Sequence, residues 1–236
     1  MSEFFKDPQT LLYAILGGVI PSILWLWFWL KEEDNDDPEP PGLIILAFIM
    51  GGIIVLIAVW MEKYSINFVK DKTLQIIVWA SIEELLKFLG VALIVFGTNI
   101  VEEPIDYPVY FIACALGFAA LENVLYLNQL FKVDGNVISL LTGNLRFLGS
   151  TLLHAIASGM IGSALGLSFY LRNYRALYLF AGIICAIVLH SIFNFFIMKG
   201  SGGNFISVFG FLWVIAIINI LIFEKLKRMG QSIKAA

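Results

Sequence analysis

The stretch Ser81-Ile82-Glu83-Glu84-Leu85-Leu86-Lys87-Phe88 sits inside an apolar run from Thr73 to Phe96. A run of that length reaches across a bilayer, which takes roughly 20 helical residues. A charge at bilayer depth costs at least ~2.5 kcal/mol on insertion scales. Glu83, Glu84 and Lys87 therefore cannot face lipid. They must face protein, water or a metal, and the rest of the chain should supply what they face.

The composition fixes the class. The 236 residues are 60% hydrophobic and 14% charged, with a mean hydropathy of +0.89. Soluble domains run at about 45–50% apolar and about 25% charged. A net charge of −3 carries no basic footprint, so nucleic acid is not an expected partner. Cys114 and Cys185 both lie in apolar runs and read as small hydrophobes. The first apolar run is too long for the core of a signal peptide and reads as an uncleaved first span.

Seven apolar runs follow one another: Leu11–Leu30, Leu43–Trp60, Thr73–Phe96, Val109–Phe131, Leu148–Leu171, Ala176–Met198 and Phe205–Phe223. Backbone in lipid must satisfy its own hydrogen bonds, so each is read as a helix. The expected fold is all-α: a polytopic transmembrane bundle of 7–8 membrane-embedded helices forming one domain over residues 1–236. Lys132–Phe147 admits three readings: a surface helix, a re-entrant piece or an early extension of the fifth span. Lys and Arg favour opposite topologies in the two halves of the chain, which an even number of crossings would reconcile. Trp25, Trp27, Trp29, Trp60 and Tyr170 near span ends read as interfacial anchors.

Four runs carry polar groups that a lipid-facing surface would exclude. The third has Glu83, Glu84 and Lys87. The fourth has Glu122 and Asn123, the fifth His154 and Ser158, and the sixth His190 and Asn194. Three pairs, Glu83/Lys87, His154/Ser158 and His190/Asn194, are spaced i, i+4 and so share a helix face. With strict alternation of spans, all these groups sit roughly 9–15 Å from the same membrane side. Ser158 taken alone reads as a small packing residue. Gly159, Gly162 and Gly166 read as points of close helix approach.

Two histidines with several glutamates suit Zn²⁺, whose catalytic sites usually hold three protein ligands and a water. His154, His190 and Glu122 are candidate ligands, with Asn194 as an oxyanion partner. Glu83 or Glu84 is the candidate general base. Adjacent helical residues diverge by about 100°, so one of the two faces the water while the other anchors Lys87 or a neighbouring helix. The same residues would also suit a proton-coupled transporter or channel, which would show inverted repeats and helices broken near the site. No repeat is visible in the sequence.

The pattern Glu83-Glu84-x-x-Lys87, Phe118-x-x-x-Glu122-Asn123, His154 and His190-x-x-x-Asn194 resembles that of the PrsW family of intramembrane proteases. It resembles more distantly the CAAX-prenyl-protease and bacteriocin-processing superfamily. The motifs cover residues 81–194. The resemblance implies an integral membrane peptidase of the cell membrane, bacterial or archaeal, that cuts a membrane-anchored protein, often an anti-sigma factor. Glu122 stands where the superfamily often has His.

Overall fold

The computed structural model describes the backbone of residues 8–32, 38–96, 98, 100–134, 137–199 and 205–234, and the side chains of these except 130–148, 198–208 and 232–234. The described residues form seven α-helices: α1 (Pro8–Lys31), α2 (Pro41–Ser65), α3 (Lys72–Val95), α4 (Asp106–Asp134), α5 (Val137–Leu167), α6 (Arg175–Lys199) and α7 (Phe205–Lys234), with a short 3₁₀ turn, Arg172–Tyr174, before α6. Each expected span corresponds to one helix, and five lie wholly inside it; Thr73–Phe96 runs one residue past the end of α3 and Leu148–Leu171 four residues past the end of α5. Seven is the lower of the two counts the sequence allows. Of Lys132–Phe147, the residues to Asp134 belong to the end of α4 and those from Val137 to an early start of α5, while 135 and 136 lie outside the described residues.

Six helices are long and apolar enough to cross a membrane: all but α3. Helix α3, with 24 residues, has the length at ~1.5 Å per residue. What sets it apart is the Glu83, Glu84 and Lys87 charge in its middle. Its ends have local causes. The Asp71 side chain accepts a hydrogen bond from Leu74 N at 2.8 Å, a capping contact that satisfies one free first-turn amide. The helix ends where Phe96 turns extended.

Helices α4 and α5 form the inner layer: 78% of each spanning window is buried, against 17–33% for α1, α2, α6 and α7. Close approach around α4 depends on glycine. A Cβ on Gly51 of α2 would run into the Cys114 carbonyl of α4, and one on Gly117 would run into the Phe48 carbonyl of α2. Gly162 of α5 likewise leaves no room for a Cβ beside Pro108. Small residues where backbones touch are the usual means of packing helices in lipid.

The aromatic anchors divide. Trp27, Trp60 and Tyr170 are exposed near helix ends, as expected, but Trp29 is buried and packs on Phe223 at 5.3 Å. Trp29 is therefore a core residue. Its position near the span end gave an interfacial reading, but the approach of α7 covers it.

Candidate active site

The site is assembled from one stripe of α3 and residues of α4, α5 and α6, with Glu62 of α2 beside it. On α3 the buried positions are Ile76, Ala80, Glu83, Glu84, Lys87, Gly90, Val91, Ile94 and Val95, recurring at three- and four-residue intervals as a single helix face requires. Leu85, Leu89 and Leu93 point outward. The charges thus lie inside and the leucines in the lipid-facing position.

Glu84 is fully enclosed and its carboxylate is saturated. Oε1 accepts from Lys87 Nζ at 2.6 Å and from His190 Nδ1 at 2.8 Å. Oε2 accepts from Ser158 Oγ at 2.9 Å. Ser158 thus belongs to the polar network rather than serving only as a packing residue; its i, i+4 spacing from His154 was the available signal. Lys87 Nζ also lies 3.0 Å from His154 Nδ1 and 4.8 Å from the centre of the Phe118 ring. The ring face favours a cation.

Glu122 Oε2 lies 2.7 Å from His154 Nε2. The Glu122 side chain is 39% exposed, so it also meets the surroundings of the bundle. Asn123 turns away to donate to Thr151 Oγ1 at 3.0 Å, tying α4 to α5. Asn194 is half-buried, one turn beyond His190 on α6.

Glu83 behaves differently from its neighbour. Its Oε2 is buried with no hydrogen-bond partner. That oxygen lies 3.9 Å from His154 Nδ1 and 3.7 Å from His190 Nε2. The two imidazoles meet edge-on, 5.0 Å between centres. A nitrogen facing a carboxylate donates its proton there, which leaves the other ring nitrogen with a lone pair. Glu122 fixes this for His154 and Glu84 for His190. Both lone pairs then lie toward Glu83 Oε2, with the Lys87 ammonium on the His154 one.

These facts test whether the residues suit a metal. Among the described residues, the three-residue group whose donor atoms all lie within 4.8 Å of one another is Glu83, His154 and His190. Zinc bonds of roughly 2.0–2.2 Å put neighbouring ligand atoms some 3–4 Å apart, and the two distances from Glu83 Oε2 to the histidine nitrogens, 3.9 and 3.7 Å, match. Histidines backed by carboxylates are the usual support of a zinc site. The donor set fits. It differs from the expected set of Glu122, His154 and His190, because Glu122 reaches only the far nitrogen of His154.

One neighbour was missed in the sequence. Glu62, read as part of a connector, lies in the last turns of α2 and reaches hydrogen-bonding range of Glu83. Only the folding of α2 against the site shows this; Glu62 sits just past the end of its apolar run and carries no spacing signal.

A helical bundle holding two histidines and three glutamates in one largely buried cluster has the construction of a membrane-embedded hydrolase. The PrsW family of intramembrane metalloproteases matches residues 39–222, and the chain belongs to this family. It is 27% identical over 200 residues to Protease PrsW of Geobacillus kaustophilus, covering 83% of this chain and 84% of that protein. It is 27% identical over 233 residues to Protease PrsW of Oceanobacillus iheyensis, covering 94% and 98%. Protease PrsW of Clostridioides difficile is 25% identical over 197 residues, covering 78% of each. No solved structure matches the chain. The protein is a multi-pass membrane protease of the bacterial cell membrane, and the transporter reading gives way to it.

Proposed function

We propose that the protease cuts a membrane-anchored protein at the face formed by Glu83, His154 and His190. The observation that carries this is the convergence of Glu83 Oε2 with two imidazole lone pairs. Three carboxylates around a single ammonium leave the cluster net negative, the condition for attracting a cation. The residues that would hold Zn²⁺ are Glu83, His154 and His190. Bound there, zinc supplies Lewis acidity toward water and a peptide carbonyl.

The remaining work falls to the chain. Glu122 and Glu84 hold the two imidazoles in their tautomers and orientations. Lys87, already on Glu84, brings fixed positive charge to the place where negative charge develops on the substrate carbonyl. Asn194 can add an amide donor from the next turn of α6. With Oε2 committed to the cation, the other oxygen of the Glu83 carboxylate takes the proton of the attacking water, with Glu62 within reach as its next acceptor; the proton then goes to the leaving amine. The division between Glu83 on the water and Glu84 on Lys87 is the one that adjacent helical positions call for.

The resemblance set out above implies an anti-sigma factor as the substrate class. A membrane-anchored anti-sigma reporter co-expressed with the wild type and with Glu83→Gln tests this. Cleavage by the wild type and an intact reporter with the variant are expected. An intact reporter in both, with cleavage of another single-span protein, would remove the anti-sigma assignment. Cleavage by a folded Glu83→Gln variant would remove the site.

A further inference from the structure

Where the end of α3, the start of α4, the end of α5 and the start of α6 meet, the bundle contains a cavity of about 850 Å³. Val95, Leu165 and Leu179 line it. Val95 lies about eight residues past Lys87, and Leu165 and Leu179 about eleven from the nearest histidine, so the cavity is roughly 12–16 Å along the helices from the active site. Proteolysis as described above makes no use of it.

Its polar wall is basic. Arg172 and Arg175 both line it. The Arg175 guanidinium donates to the Tyr107 hydroxyl and lies 5.3 Å from the centre of the Phe96 ring and 5.2 Å from that of Tyr107. Its head is thereby fixed in the wall. Neither arginine has a carboxylate within salt-bridge range among the described residues. The nearby acids Glu39, Glu102, Glu103 and Asp106 gather in a separate, smaller pocket. Charge is thus sorted by sign around this end of the bundle.

The surroundings indicate what the arginines meet. The α5–α6 turn exposes Tyr170, Leu171 and Tyr174, the aromatic composition of a membrane boundary. An arginine fork matches phosphate oxygens in geometry and charge. The volume lies within the range of small-molecule sites. An apolar wall beneath two guanidinium groups that lack a carboxylate partner suits an amphiphile with an anionic head better than a hydrated ion.

We propose that this cavity binds an anionic phospholipid, its phosphate at Arg172 and Arg175 and the start of an acyl chain against Val95, Leu165 and Leu179. The site requires no particular reading of the catalytic chemistry, and its test uses no cleavage.

Purified full-length protein in detergent is titrated with phosphatidylglycerol and with phosphatidylcholine, and bound lipid is counted by native mass spectrometry. One phosphatidylglycerol per chain should be retained, at least about tenfold more tightly than phosphatidylcholine, as expected for charge-assisted contacts. Arg172→Gln with Arg175→Gln should erase that preference. Arg172→Gln alone keeps the Tyr107 contact and should weaken it, and Leu179→Trp should block binding while both arginines remain. Those two single variants carry the test if the double variant does not fold. Equal retention of the two lipids, or an undiminished preference in the folded variants, would overturn the proposal. So would inorganic phosphate at millimolar concentration displacing the lipid while raising the melting temperature to the same extent; the site would then be for a soluble anion.

Discussion

The two faces of α3 invert the usual rule for a water-soluble helix. Inward lie Glu83, Glu84 and Lys87, and outward lie Leu85, Leu89 and Leu93, with Leu93 78% exposed and Glu84 and Lys87 at 0%. In water such a helix would turn itself over. In a bilayer the leucines cost nothing outside, and the charges are tolerable only if each finds a partner within. Glu84 has three partners, while Glu83 keeps a buried oxygen unpaired. A stable fold does not leave such an atom empty-handed without cause, and the cause proposed above is that its partner is a cation.

The comparison is tested most severely on the inner face. Glu83→Gln and His190→Ala should each lower cleavage of a membrane-anchored reporter by about 10³-fold or more, within the range for losing an acid–base group or an electrostatic contact. Glu83→Gln should do so with little change in unfolding. Full activity in a folded Glu83→Gln protein would erase the distinction between the two carboxylates.

Glu84 should show the opposite balance. Glu84→Ala strands the Lys87 ammonium, and breaking a buried pair from one side costs about 3–5 kcal/mol. Denaturant or thermal unfolding in detergent measures this. A Glu84→Ala variant as stable as wild type would mean that His154 and the Phe118 ring suffice to hold the Lys87 ammonium.

A smaller effect belongs to the scaffold that holds α4 in place. Gly51→Ala would push a methyl into the backbone of α4, and overpacking of this kind costs about 1–3 kcal/mol. The same unfolding assay reads it, and activity should fall only as far as stability does. On the outer face, Leu93→Ala should change stability by no more than about 0.5 kcal/mol and leave cleavage unchanged. A loss of activity there would show that α3 presents its outer face to substrate.

The bundle was legible in the sequence because lipid imposes helices on every apolar run. Each of the seven runs corresponds to one helix, with only the ends of the third and fifth running past theirs, and even α3, which three charges separate from the other spans, was marked by its length. The residues of the site were legible too, since buried charge in a span is costly enough to be noticed. Their pairing was less so. Periodicity places Glu83 and Glu84 on neighbouring faces without saying which looks at the histidines, because that depends on the rotation of α3 against α5 and α6. Glu122 was expected beside both rings and meets one, on its far nitrogen, a matter of helix depth to within about one turn. Glu62 and Ser158 escaped for simpler reasons. One sits past the end of its run, and the other is small enough to be taken for packing.

The cation content of the purified protein tests the account most directly. Elemental analysis of wild type, Glu83→Gln, His190→Ala and Glu122→Gln, all verified as folded, should give one zinc per wild-type chain and none in Glu83→Gln or His190→Ala. In Glu122→Gln zinc should be retained with affinity lower by about 10–100-fold, the usual effect of removing a carboxylate that supports a ligating histidine. Full zinc occupancy in Glu83→Gln, or a metal-free wild type with full cleavage activity, would contradict the assignment of Glu83, His154 and His190 as the cation-holding face.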